Sequence, residues 1–118
     1  MALQEITHVA ENDRMADCID NCFEAAQACE WCASECIELG DQKMARCIQL
    51  CRDVADVATL HARMMAREST YESALAATCA DLCQECANEC DQFDHDHCQT
   101  CADVLADCAA SCREMASA

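Results

Sequence analysis

The fifteen cysteines of this 118-residue chain recur at intervals of three and four residues. The stretch CADLCQECANEC, residues 79–90, shows the spacing most densely. Side chains three and four residues apart lie on one face of an α-helix, and in a globular protein that face is the one normally buried. The pattern therefore predicts helices that turn thiols toward an interior in the place where leucines usually lie.

The chain contains no proline and one glycine, so it lacks the residues that interrupt helices and form tight turns. We predict an all-α fold, an antiparallel up-down four-helix bundle forming one domain over residues 1–118. Short connections make sequential helices antiparallel. The predicted helices span about 13–39, 41–67, 70–93 and 95–116, with a short extra helix over residues 2–10.

The predicted boundaries follow from capping residues. Gly40 lies where a C-cap glycine ends the first helix, and Asp41 is placed to cap the second. Ser69 and Glu72 have the S-x-x-E spacing of a capping box for the third helix.

Every cysteine falls on a single stripe of its helix. The stripes contain Cys18, Cys22, Cys29, Cys32 and Cys36 in the first helix; Cys47 and Cys51 in the second; Cys79, Cys83, Cys86 and Cys90 in the third; and Cys98, Cys101, Cys108 and Cys112 in the fourth. Leu105 occupies a position at which a further cysteine would continue the fourth stripe. Val54 and Ala58 similarly continue the second.

Thiols arranged in this way predict a metal-binding interior with Cu(I) as the cargo. Soft sulfur ligands select Cu(I), which accepts two or three thiolates, whereas zinc takes four ligands in a closed tetrahedron. The ladder offers pairs of thiols throughout and does not separate into discrete four-cysteine clusters. One monovalent ion per thiolate would also leave the buried tube neutral, and the whole chain already carries a net charge of −16.

Two histidines are predicted as additional metal ligands. His95 precedes Cys98 by three residues, which places it on the same face, and His61 continues the stripe of the second helix. His97 is predicted to angle away from that face. Methionines at the far end, Met65 among them, fit either a ligand role or simple packing.

Two alternatives remain open: a zinc or general soft-metal sequestering protein, and a structural bundle cross-linked by disulfides. We expect no enzyme, because the sequence shows no paired catalytic carboxylates, Ser–His pairing or phosphate-binding loop. The acidic charge disfavours nucleic acid and anionic membrane surfaces as partners. The first residues show no apolar signal region, so we expect a cytoplasmic protein with reduced thiols. No copper donor or acceptor protein is indicated.

The stretch HDHCQTCADVLADCAASC, residues 95–112, is similar to the fourth helix of the bacterial copper storage proteins, with their H-x-H-C-x-x-C-A opening. The resemblance extends from about Met15 to Met115. It implies a four-helix bundle whose cysteines fill with Cu(I), a place in the cytosolic branch of that family, and assembly into a homotetramer.

Overall fold

The computed structural model describes the backbone of residues 3–117 and the side chains of residues 13–116. Its elements are α1 (Leu3–Leu39), a 3₁₀ turn (Gln42–Met44), α2 (Ala45–Ala66), α3 (Glu72–Cys90) and α4 (Asp96–Ser117). These elements form an elongated bundle of 54 × 24 × 17 Å, and the described residues include no strand. The predicted all-α four-helix bundle is confirmed.

Neighbouring helices run antiparallel around the bundle, in the order α1, α2, α3, α4. Cys36, late in α1, meets Cys98, early in α4, whereas Cys18 meets Cys112 near the other ends of these helices. The same reversal joins α2 and α3 through the pairs Cys47–Cys90 and Cys51–Cys86. Contacts of this kind bring the beginning of one stripe beside the end of the next.

The first helix is longer than its sequence pattern predicted. Residues 2–10 were predicted as a short extra helix, but from Leu3 onward they are continuous with α1, which runs to Leu39. No glycine or proline lies between these two positions, so the backbone meets nothing that would interrupt its hydrogen bonding.

The predicted end of the first helix is confirmed by the backbone, whereas the predicted start of the second helix is not. Gly40 follows α1 with a φ of 65°, a left-handed conformation that glycine adopts without steric cost. The Asp41 carboxylate accepts a hydrogen bond from the Lys43 N–H at 3.0 Å and thereby caps the 3₁₀ turn. The second helix begins only at Ala45, and its N-cap residue Met44 makes no side-chain capping bond. The reversal between α1 and α2 is thus fixed by the residues that the sequence marked for it.

The predicted capping box between Ser69 and Glu72 is wrong. The hydroxyl of Ser69 accepts a hydrogen bond from the Tyr71 N–H at 3.2 Å, and α3 begins only at Glu72. Ser69 therefore stands too far ahead of the helix to cap it. The carboxylate of Glu72 faces α2, where its Oε1 lies 3.7 Å from Nε2 of His61.

The interior consists mainly of thiols and small residues. All fifteen cysteines are at most 1% exposed, and alanines fill much of the space between them. Several large apolar side chains lie on the surface, including Phe23, Trp31, Ile37, Leu60 and Tyr71. Among the described helices, none combines the length and the apolar character needed to cross a membrane.

Candidate metal centre

The bundle places all the predicted cysteine ligands in its interior. Their predicted inward orientation is confirmed by their burial, and all fifteen are free thiols. Contacting sulfurs lie between 3.3 Å apart, for Cys47 and Cys90, and 4.0 Å apart, for Cys32 and Cys36. At these separations one soft ion can contact two or three sulfurs from different helices.

Five groups of side chains place all their ligand atoms within 4.8 Å of one another. They are Cys18, Cys22, His61 and Cys112; Cys22, Cys79, Cys108 and Cys112; Cys29, Cys51 and Cys86; Cys32, Cys51, Cys90 and Cys101; and Cys32, Cys36, Cys47 and Cys98. Three of these are four-cysteine groups, which the spacing of cysteines along the chain did not indicate. Periodicity along one helix could not reveal them, because each combines sulfurs from several helices.

The groups overlap, so they cannot all act as independent sites. Cys22 and Cys112 belong to both of the first two groups, and Cys32 belongs to both of the last two. Cys51 likewise links the third group to the fourth. A closed zinc tetrahedron uses its four ligands for one ion, whereas a bridging thiolate serves two Cu(I) ions. The sharing of sulfurs thus fits a chain of bridged ions better than separate tetrahedral sites.

Overlap joins the groups into two compartments. The His61 compartment contains His61, Cys18, Cys22, Cys79, Cys83, Cys108 and Cys112, with Cys83 joined through its 4.0 Å contact to Cys79. The His97 compartment contains His97, Cys29, Cys32, Cys36, Cys47, Cys51, Cys86, Cys90, Cys98 and Cys101. Among the described residues, none of the five groups has members in both compartments.

An aliphatic belt formed by Ala25, Val54, Ala58 and Leu105 separates the two compartments. Ala25 lies three residues after Cys22, whereas Ala58 and Leu105 lie three residues before His61 and Cys108. On its own helix, each belt residue lies between a member of one compartment and a member of the other, and all four are at most 1% exposed. Only on α3 does the cysteine stripe continue from one compartment to the other without a belt residue, from Cys83 to Cys86.

His61 is fully buried, as its place on the second stripe predicted. Its Nδ1 lies 3.5 Å from the sulfur of Cys22 and 3.7 Å from that of Cys112. Burial lowers the pKa of His61, but the contact with Cys79 and the neighbouring negative charges outweigh it, so the pKa is raised. The imidazole thus lies among the sulfurs, with Nδ1 facing two of them.

At the other end, the structure reverses the predicted orientations of His95 and His97. His97 is 9% exposed, and its Nε2 lies 3.5 Å from the sulfur of Cys36. His95 is exposed and stacks on the His97 ring, with centroids 5.4 Å apart. The prediction placed His95 inside the helix, but α4 begins at Asp96, so helical spacing from Cys98 does not apply to His95.

Methionines lie near the ends of the tube. Met44 is 1% exposed and comes three residues before Cys47. Met65 and Met115 are also buried, about one turn beyond His61 and Cys112 on their helices. Their thioethers close the interior with soft, apolar groups.

The thiols influence one another's ionisation. Burial raises the pKa of Cys36 and Cys98, and negative charge on Cys32 adds to the effect. A hydrogen bond with Cys112 lowers the pKa of Cys18, since a neighbouring S–H group stabilises the thiolate. Fifteen thiolates without cations would be untenable in so buried a space, so full ionisation requires bound cations.

Buried, overlapping soft ligands inside a closed bundle define this protein as a metal-sequestering four-helix bundle. A family model described as copper storage protein matches residues 11–117. The chain belongs to the copper storage protein family.

Relatives of this protein include solved structures and a curated sequence. A cysteine-rich protein of Bacillus subtilis strain 168, YhjQ, is 40% identical over 101 residues, covering 85% of this chain and 94% of its own. The Cu(I)-bound copper storage protein BsCsp3 is 38% identical, with a TM-score of 0.83, covering 87% of this chain and 98% of its own. A cytosolic copper storage protein from Streptomyces lividans, solved with five coppers, is 32% identical, with a TM-score of 0.84, covering 92% and 97%.

Proposed function

We propose that this protein stores and buffers Cu(I), binding many ions on the thiolates inside its bundle. The proposed ligands are the fifteen cysteines together with His61 and His97. His95, although predicted as a ligand, is exposed and stacks on the His97 ring, so we leave it out of the proposed ligand set. The observation that carries the proposal is the sharing of buried sulfurs between neighbouring ligand groups.

Charge supports Cu(I) as the cargo. Each thiol that binds releases a proton and becomes a thiolate, and one monovalent ion per thiolate keeps the buried interior neutral. A divalent ion held by four thiolates leaves two negative charges inside, in a chain whose net charge is already −16. The Cu(I)-bound BsCsp3 and the copper-loaded Streptomyces lividans relative support the same cargo.

We further propose that the protein is cytosolic, acts without catalysis, and forms one domain that assembles as a homotetramer. The location is supported by the Streptomyces lividans relative, which is described as cytosolic. Self-association is supported by the exposed apolar side chains Phe23, Trp31, Ile37, Leu60 and Tyr71. Copper ions are the proposed partners, and nucleic acid and membranes are not.

Competition between metals tests the proposal against the main alternative, a zinc-sequestering protein. The four-cysteine groups are the observation that favours this alternative. The reduced protein is loaded anaerobically with Zn²⁺, then titrated with Cu(I) while released zinc is measured with a zinc dye. A copper store releases all its zinc and continues to take up Cu(I) after the last zinc ion has left, because shared thiolates hold more monovalent than divalent ions.

Two outcomes would contradict the proposal. Zinc retained against excess Cu(I) would indicate a zinc-sequestering protein. A low free-thiol count in protein purified anaerobically would indicate a bundle cross-linked by disulfides. A parallel count of thiols with a chromogenic reagent in denaturant separates these two cases.

A further inference from the structure

Two buried polar atoms face each other at the edge of the His61 compartment. They are Nε2 of His61 and Oε1 of Glu72, which lie 3.7 Å apart. Neither has a hydrogen-bond partner among the described residues. The side chain of His61 is 0% exposed and that of Glu72 is 13% exposed. Buried polar groups are nearly always hydrogen-bonded, and a side-chain movement of about half an ångström would bring this pair within bonding distance.

The orientation of the His61 ring determines which of its two nitrogens can bind a metal ion. A neutral imidazole carries a proton on one nitrogen and a lone pair on the other, and an ionised carboxylate only accepts hydrogen bonds. With Nε2 toward Glu72, the proton belongs on Nε2. Nδ1 then presents its lone pair to the sulfurs of Cys22 and Cys112, 3.5 and 3.7 Å away.

The chain reversal between α2 and α3 explains why Glu72 is available for this contact. Glu68 adopts a φ of 52°, and the Ser69 N–H donates back to the carbonyl of Met64, which ends α2 abruptly. The first residue of α3 consequently lies beside the last turns of α2. Glu72 makes no capping bond with Ser69, so its carboxylate is free to face His61.

We propose that Glu72 is a positioning residue for His61, holding the Nε2–H so that Nδ1 faces a Cu(I) ion shared with Cys18, Cys22 and Cys112. The inference rests on the proposed function and adds a residue outside the thiolate ladder. A carboxylate behind a ligating histidine fixes the ring and makes the free nitrogen more basic. The His61 compartment thereby gains a nitrogen ligand that binds without releasing a proton.

Three substitutions at one position test this role. Glu72→Gln keeps an oxygen acceptor at the same distance from the backbone. Glu72→Asp keeps the negative charge but moves it away from His61, because the side chain is shorter. Glu72→Ala removes both the acceptor and the charge. Asp96→Ala is the matched control, since it removes a carboxylate from the first turn of α4, at the His97 end of the bundle. Circular dichroism under reducing conditions checks that each variant remains helical.

The first readout needs no copper. The ¹⁵N spectra are recorded on the reduced, copper-free protein at a pH at which the His61 ring is neutral, with resonances assigned against His61→Asn. The wild type and Glu72→Gln should show a protonated Nε2 and an unprotonated Nδ1. Glu72→Asp and Glu72→Ala should show the proton distributed between both nitrogens. The same nitrogen shifts in Glu72→Ala and in the wild type would overturn the proposal.

The second readout is Cu(I) affinity, measured by competition with a coloured chelator. Loss of a partner behind a metal ligand typically weakens binding about 10–100-fold, so Glu72→Asp and Glu72→Ala should lose that much at the His61 compartment. Glu72→Gln should recover most of it, and Asp96→Ala should match the wild type. Equal affinities across all the Glu72 variants would contradict the inference, whereas failure of the wild type to take up copper would contradict the proposed function instead.

Discussion

At the scale of single residues, the two histidines before Cys98 show where helical periodicity stops predicting which side chains face the interior. Helical spacing favoured His95, yet His97 contacts Cys36, because α4 begins between the two histidines. Spacing identifies a face only for residues that are already inside the helix. The burial of His61, in the middle of α2, was predictable from the same rule.

Replacing each of these histidines separately tests the corrected assignment. We expect His97→Ala to weaken Cu(I) binding in the His97 compartment by about tenfold or more. Loss of a residue that only hydrogen-bonds to a metal ligand already lowers metal affinity by about that factor, and His97 is a proposed ligand itself. His95→Ala, the matched control, should leave equilibrium affinity unchanged because its ring is exposed. Chelator competition measures both, and a larger loss in His95→Ala would contradict the assignment.

The Cys36 and Cys98 thiols should make the stability of the copper-free protein depend on pH. Burial raises the pKa of both thiols, to about 12 for Cys98, whereas the pKa of a thiol in the unfolded chain is about 8.5. Their contribution to stability is therefore fully present below about pH 8.5. It is lost as pH rises toward the folded value, by about 1.4 kcal/mol per pH unit for each thiol.

Urea unfolding of the reduced, copper-free protein at about pH 8 and about pH 10 measures this loss. The double variant Cys36→Ser and Cys98→Ser serves as the control, because serine has nearly the same shape and does not ionise in this range. We expect its stability to fall less steeply with pH than that of the wild type. Equal slopes would show that these two thiols do not titrate as described.

At the scale of helices, the sequence specified the stripes well and the ends of the helices less well. The three- and four-residue spacing of cysteines predicted the buried face of every helix, because that spacing has no strand counterpart. The start of α3 could not be predicted, because Ser69 and Glu72 satisfy the capping-box pattern while their side chains make other contacts. The four-cysteine groups were also beyond prediction, since they depend on how helices are offset against one another.

The aliphatic belt should divide the copper store into two parts. Leu105→Cys places a thiol in the gap between Cys101 and Cys108, so we expect uptake to rise by about one Cu(I) ion per chain. Leu105→Ala is the matched control, since it opens a similar space without adding a ligand. A large-to-small change in a core costs roughly 2–5 kcal/mol, and copper-free Leu105→Ala should unfold at lower temperature.

The comparison between these two Leu105 variants decides whether the belt limits capacity. Chelator competition under anaerobic conditions gives the uptake of each, with protein concentration determined by amino-acid analysis. The same uptake by the cysteine and alanine variants would indicate that the missing thiol at position 105 does not limit capacity.

At the scale of the whole molecule, the bundle has few large apolar contacts to hold it together. Its core is made of thiols and alanines, and each helix contributes ligands to the same ions, so copper should act as a cross-link between helices. We expect Cu(I) loading to raise the melting temperature by on the order of 10 °C or more, since about 1 kcal/mol shifts a domain of this size by several degrees.

Differential scanning calorimetry of copper-free and loaded protein measures that shift, and removal of copper with excess chelator should reverse it. A zinc-loaded sample is the control for a general effect of metal. An unchanged melting temperature at saturating Cu(I) would argue that copper binds outside the bundle.

The central claim is that the shared thiolates of the interior hold copper as a chain of bridged ions. Anaerobic titration of the fully reduced protein with Cu(I), against a coloured chelator and with thiols counted in parallel, tests it most directly. The account predicts uptake on the order of one ion per thiol, about fifteen per chain, before the coloured complex of Cu(I) with the chelator forms. Saturation at three or four ions, with all thiols reduced, would contradict it.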